Sequence, residues 1–365
     1  MKKILIIGNA NSVQIINLVA ELKKQEKQII DIFTTHEHIK ENSVFDNVFE
    51  PKSYFYYKRV IGVFCRLPWF ISVCFFLLTN PRKNYDSIHI HYLDLLHSGT
   101  ISIYKKLASK IVAITWGSDL FKCKDWSKLT RILENSDVIN VSTSEMKNTI
   151  LKRLPTTACK MKQNRFGLKG LDYINLIRSN RSNNFTSWSK HKSIKKPILV
   201  IGTNASENQN HLKIIESLKE FYEHYHFVIP MTYGGTQDYI NKVKSAMSIT
   251  NSDYEIIDTF LDDNTLAELR LCSKVLIQMQ NTDALSGAMQ EHIYAGSIVI
   301  TAEWLNYTIL DEIGIDLLKV ESFKDLNHVL NTISCGNYEI DFNKNSKLIY
   351  EMSSFKSVIN GWNNL

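Results

Sequence analysis

The chain has 365 residues, 44% of them hydrophobic and 22% charged, with a formal charge of +6 and a pI near 8.8. That length suits two ordinary α/β domains, and the composition excludes disorder on a large scale. The mild basicity, without an RNA-recognition signature or zinc-finger spacing, argues against nucleic acid as a partner and suits a surface facing anionic lipid or phosphates. Six cysteines without Cys-x-x-Cys spacing read as reduced, mostly buried thiols of a cytosolic protein.

The opening MKKILIIGNANSV has a basic start and a short apolar run, which Gly8 and Asn9 cut off well short of a secretory core. It predicts a strand over 4–7, a polar loop and a helix over 12–24. Asn9, Asn11 and Ser12 of that loop are candidate contacts to an acceptor or to donor phosphates. No G-x-G-x-x-G, Walker or His-Glu-x-x-His motif occurs, so a dinucleotide fingerprint is absent. Strands follow at 29–34, 87–91, 112–115 and 138–142, with helical stretches between them and a helix at 145–154. This is the βα alternation of a parallel sheet.

Residues 54–79 interrupt the alternation with an aromatic, apolar segment that also carries Lys58, Arg59 and Arg66. A spanning helix needs ~20 apolar residues; the clean run over 67–78 is shorter and contains Pro68. The segment reads as an interfacial helix touching a membrane or as a helix of the first core. His91, nearer the end of its strand than His89, and Asp119, just past the strand at 112–115, are candidates for the general base of a transfer reaction. As ordinary structure, His91 would be a satisfied core residue and Asp119 a helix cap.

The polar, basic stretch 176–196 reads as a linker ending at Pro197, after which the pattern restarts. A strand followed by a polar loop is expected over 197–206, strands at 227–231, 254–258 and 274–278, and helices at 210–225, 237–247 and 265–272. Gly202, Thr203 and Asn204, and then Thr232, Tyr233 and Gly234, end two of these strands as candidate donor-site loops. In TDALSGAMQEHIYAGSIVI (282–300), Ser286 and Gly287 open a helix that runs to Ala295 and stops at Gly296. Glu291 lies one turn inside it, on the face of the free first-turn amides. Such a face could hold a diphosphate at its amides and a sugar hydroxyl at its carboxylate, or Glu291 could simply be a capping or paired acid. The final stretch 345–365 predicts one amphipathic helix.

Strand, polar loop and helix at both domain starts, with Asp283 eight residues before Glu291 and the Ala295-Gly296 turn, resemble the GT-B glycosyltransferases. The words TWGSDLF (115–121), the Gly-Thr-Asn loop ending in Asn210-His211, IPMTYGGTQDYINKV (229–243) and LAELRLCSKV (266–275) are similar to the bacterial 4-acetamido-4,6-dideoxygalactose transferase family. The resemblance implies two Rossmann-like domains facing a cleft: an acceptor- and membrane-facing domain over 1–175, a linker over 176–196 and a nucleotide-sugar domain over 197–344. It implies too that the final helix, 345–365, crosses back to the first domain. Glu291 would take the ribose hydroxyls, Asp283 would be the first acid of the pair, and Ser286-Gly287 would meet the diphosphate. No metal or other cofactor is expected. The enzyme would move a sugar from a dTDP-, UDP- or GDP-linked donor to a lipid-linked glycan during O-antigen, lipopolysaccharide, capsule or common-antigen assembly. It would be cytoplasmic and bound peripherally to the inner face of the plasma membrane. The closer family implies inversion, whereas the Asp283–Glu291 spacing matches retaining enzymes. A GT-B nucleotide-sugar epimerase and a silent scaffold subunit are the alternatives.

Overall fold

The computed structural model describes residues 1–36, 43–50, 66–79, 85–179, 195–283 and 285–365. Most of the linker expected at 176–196, and the part of the 54–79 segment that precedes residue 66, lie outside them. The chain divides into two compact units, Met1–Gly167 with Phe355–Leu365, and Leu168–Ser354.

The first unit carries a seven-stranded parallel sheet: β1 Lys2–Gly8, β2 Gln28–Thr34, β3 Val48–Phe49, β4 Tyr85–His91, β5 Ala108–Ile114, β6 Val138–Val141 and β7 Met161–Gln163. Their spatial order is β3-β2-β1-β4-β5-β6-β7. Its helices are α1 Val13–Gln25, α2 Arg66–Thr79, α3 His97–Tyr104, α4 Ser118–Phe121, α5 Trp126–Asn135 and α6 Ser144–Arg153. The central strands are continuous apolar runs, such as Ile4 to Ile7, because helices cover both faces of a parallel sheet.

The second unit opens with α7 Lys169–Ser179 and builds a six-stranded parallel sheet. Its strands are β8 Ile198–Ile201, β9 His226–Pro230, β10 Asp253–Ile257, β11 Ser273–Gln278, β12 Ile298–Ala302 and β13 Leu318–Val320, in the order β10-β9-β8-β11-β12-β13. The helices are α8 His211–Ser217, α9 Gln237–Ser248, α10 Asp263–Cys272, α11 Gly287–Ala295, α12 Thr308–Ile313, α13 Leu326–Ser334 and α14 Phe342–Ser353. The core joins Leu199 to Ile201, Phe227 to Ile229, Leu276, Ile277, Met289 and Ile293.

The final stretch differs from the single helix expected. It forms α14, inside the second unit, and α15 Phe355–Asn363, inside the first, with extended backbone at Ser354 between them. Phe355, Ile359 and Trp362 of α15, spaced for one helix face, join the first core beside Ile15, Leu18 and Val112. The Trp362 indole N–H donates to the Arg165 carbonyl at 2.7 Å. Lys2 donates to the Asn363 carbonyl at 3.0 Å, a cation at a helix C-terminus. The unit boundary likewise falls at Gly167, ahead of the expected residue 175, because α7 packs on α10.

Candidate functional site

In an open parallel sheet, ligands bind beyond the strand C-termini where the strand order reverses, since the two neighbouring loops there diverge. In the second unit this point lies between β8 and β11, so the loops after them, 202–210 and 279–283 with 285–286, flank the crevice. The two loops are tied together. Asn210 donates to the Met279 carbonyl at 2.8 Å and to Asn281 at 2.9 Å, Asn208 donates to the Thr282 carbonyl at 2.9 Å, and Gln209 bonds Gln280.

Asn208 and Asn210 therefore join the two loops. The loop amides serve the fold as well: Gly202 N–H goes to the Ile277 carbonyl, Thr203 N–H to Gln209, Ala205 N–H to the Tyr233 carbonyl and Ser206 N–H to Asn204. The backbone amides of Gly202 and Thr203, candidate donor-site residues from the sequence, thus find their acceptors inside the unit. Thr232, Tyr233 and Gly234 lie at the neighbouring strand end. Gly234 holds φ at 82°, and a Cβ on Gly235 would stand 2.1 Å from the Ala205 carbonyl oxygen, so both glycines are needed to seat this turn on the β8 loop.

Beside that turn, Tyr233, a candidate donor-site residue from the sequence, forms an aromatic pair with Phe260. Tyr233 stacks on Phe260, from the loop after β10, with centroids 6.2 Å apart and planes 3° from parallel. They stay 55% and 77% exposed. Burial raises the Tyr233 pKa, and its charge environment includes Arg270, Glu291 and Asp283.

Helix α11 begins as expected. The Ser286 hydroxyl accepts from Met289 N–H at 3.3 Å, and Gly296 ends the helix in the left-handed region. The first-turn amides at Gly287 and Ala288 have no intrahelical acceptor. Asp283 braces this start: one carboxylate oxygen accepts from Ser286 N–H at 2.7 Å, from the Tyr307 hydroxyl at 2.8 Å and from Gln278 at 3.4 Å. It thereby orients the helix entry, and raises the Tyr307 pKa after burial has already done so.

Glu291 is paired. Its Oε2 accepts from Arg270 Nε at 3.3 Å, with side-chain exposures of 14% for the acid and 5% for the base. Burial raises the Glu291 pKa and Arg270 opposes the rise. The sequence reading singled out Glu291 but not its partner. The signal was present, because Arg270 is the one cation among Ala267, Leu269, Leu271 and Cys272, as Glu291 is the one acid in its own run. Lys213, in the first turn of α8, has its ammonium 5.4 Å from the centroid of the Phe323 ring.

In the first unit the strand order reverses between β1 and β4, which selects the loops at 9–12 and 92–96. The Asn9 side chain accepts from Asn11 N–H at 2.9 Å, and Ser12 N–H returns to the Asn9 carbonyl, so these residues shape a turn. Asp119, a candidate base by sequence, is instead a buried bracket. Its carboxylate accepts from Leu93 N–H, Trp116 N–H and Gly117 N–H, each at 2.9 Å, joining the β4 loop to the β5 loop. Burial raises its pKa against those bonds. His91, the other candidate, is caged: its ring stacks on Trp362 at 6.0 Å and meets Trp116 and Phe166, and neither ring nitrogen has a partner among the described residues. Burial pushes its pKa down to about 3. The acid left exposed at this crevice is Asp94, beside Tyr92, which holds a left-handed φ of 63°.

No group of three or more possible metal ligands occurs among the described residues. The chain matches no protein-family model and no curated protein. Solved structures do match. Sucrose-phosphate synthase from Thermosynechococcus elongatus superposes with TM-score 0.72 at 12% identity, over 100% of this chain and 98% of that one. The fold is GT-B. Anabaena Alr3699/HepE, solved in complex with UDP and glucose, gives 0.71 at 11% identity, covering 100% and 99% of the two chains. The catalytic domain of starch synthase IV from Arabidopsis thaliana, bound to ADP and acarbose, gives 0.63 at 13%, covering 100% and 98%.

Proposed function

We propose that this chain is a glycosyltransferase that takes a nucleotide sugar in the crevice of its second unit. One observation carries the reading: the switch-point loops, with the start of α11, bring the Arg270–Glu291 pair within electrostatic reach of the open Tyr233–Phe260 stack. Each feature matches a part of such a donor. The first-turn amides of α11 suit a diphosphate, the Glu291 carboxylate suits sugar hydroxyls, and the outer ring face of Phe260 suits a flat base. The GT-B neighbours solved with UDP or ADP support the same class of ligand.

The roles then divide. The donor loops are Asn-rich, so the cation nearest the carboxylate is Arg270, and the leaving diphosphate relies on amides with Arg270 as the nearby positive charge. Among the first unit's candidates for a base, Asp94 is exposed, its Oδ1 accepting from Leu96 N–H, whereas Asp119 and His91 are enclosed.

The acceptor we propose is a lipid-linked glycan met at a membrane surface, in bacterial surface polysaccharide assembly. Helix α2 supports this. Trp69, Ser72, Val73 and Phe76 face inward at helical spacing, yet Phe70, Ile71 and Phe75 on its other side are 42%, 56% and 43% exposed. A helix apolar on both faces, with one face open, fits a headgroup boundary. No described helix is long and apolar enough to cross a membrane.

Thermal melting with UDP, GDP, dTDP and CMP tests the donor reading. A ligand at a hundred times its Kd adds about 2.7 kcal/mol of stability, and the shift should vanish in Glu291→Ala. Absence of any nucleotide shift in the wild type would refute the reading and favour a scaffold. Flotation with anionic vesicles tests the surface: Phe70→Ser with Phe75→Ser should abolish binding, and unchanged flotation would remove the membrane part alone.

A further inference from the structure

We propose that Gly170, Arg270, His292 and Ser297 form a seat that aims the Glu291 carboxylate at ribose hydroxyls, making them positioning residues for nucleotide recognition. The inference rests on the donor reading above.

The bonds run in one direction. Arginine has donors only, so the Arg270 Nη1 contact to His292 Nε2 at 2.9 Å makes Nε2 an acceptor. The proton of the neutral ring then lies on Nδ1, which donates to Ser297 Oγ at 3.0 Å. The Ser297 hydroxyl in turn donates to the Arg270 carbonyl at 3.4 Å. The circuit closes on the residue where it began. His292 is wholly buried, and burial together with the Arg270 charge keeps it neutral. The guanidinium cannot turn without breaking this circuit, and its Nε is left directed at Glu291 Oε2.

Gly170, in the first turn of α7, closes the other side. A Cβ there would lie 2.3 Å from Glu291 Oε1, so that oxygen rests where a side chain would start. Among the described residues Oε1 has no hydrogen-bond partner, while Oε2 takes Arg270. A largely enclosed carboxylate oxygen with unspent lone pairs suits an O–H donor from a ligand. Stability alone does not explain the construction, since a buried ion pair is often no more stabilising than apolar side chains of its size. Direction does explain it: reading hydroxyls requires the acceptor to be held within a fraction of an ångström.

Calorimetric titration compares the nucleoside diphosphate that binds, from UDP, GDP and dTDP, with its 2′,3′-dideoxy analogue. The wild type should prefer the hydroxylated ligand by roughly tenfold or more, the worth of a charge-assisted hydrogen bond. Gly170→Ala favours the helix but displaces the carboxylate. His292→Gln keeps an acceptor near the place of Nε2, and His292→Asn is too short to reach it. Gly170→Ala and His292→Asn should lose the hydroxyl preference, and His292→Gln should keep most of it. Retention of the preference in Gly170→Ala and His292→Asn would overturn the proposal, as would equal loss in the Gln and Asn variants. Nucleotide binding that depends on Glu291 but on neither other position leaves the donor reading standing and removes the seat. Absence of nucleotide binding in the wild type removes both.

Discussion

Replacing His91 by Phe removes an imidazole that the first unit keeps neutral inside a cage of Trp116, Phe166 and Trp362. Its folded pKa is about 3 against an ordinary 6.5, so between these values the unfolded chain binds a proton the folded chain refuses. Stability from the neutral ring is therefore fully present above pH 6.5 and is lost as pH falls toward 3. At about 1.36 kcal/mol per pH unit, the loss is roughly 0.8 kcal/mol at pH 6 and about 2 kcal/mol at pH 5, relative to pH 8. Phe fits the same flat, stacked position and cannot titrate. Urea unfolding followed by the fluorescence of Trp116 and Trp362 should show the wild type losing about 2 kcal/mol more than His91→Phe between pH 8 and 5. His89, His97, His211 and His292 are also held neutral by burial, so both proteins weaken in acid, and the difference between them isolates His91. Identical pH dependence in the two proteins would show that the ring is not kept neutral by the cage and refute the argument.

Arg270→Met should cost about 3–5 kcal/mol, because it strands a buried carboxylate, while adding Glu291→Gln should restore much of the loss; urea midpoints of the single and double variants decide this. Trp362→Ala should cost about 3–5 kcal/mol through the cavity it opens. Hydrogen exchange should place that loss in β1, β4 and α15, and uniform protection there would count against the packing described for α15. Gly235→Ala has to displace the Ala205 carbonyl, so it should lower both melting temperature and nucleotide affinity, whereas Phe260→Ala, at an exposed position, should lower affinity alone by roughly 5- to 100-fold.

Much of the architecture was legible because it is local. The apolar runs at 4–7, 198–201 and 274–278 are strands wherever they pack, and Ser286 and Gly296 bound a helix through their own backbone preferences. The short strands β3, β7 and β13 were not foreseen, since two or three residues carry no period. The break at Ser354 was missed for a related reason: α14 and α15 are both amphipathic, and their apolar faces read as one stripe until each packs into a different unit.

The site divides along the same line. Sequence alone determined the alternation of strands and helices, the restart of that pattern at β8 and the lone acid Glu291, because these follow from residue preferences within a turn or a strand. Only tertiary structure decided what the polar residues do. Asp119 became a bracket for three amides, His91 the centre of an aromatic cage, and Glu291 the partner of an arginine 21 positions away. The physical reason is that a polar side chain's role is set by the donors, charges and solvent around it once buried, and those arrive from distant parts of the chain.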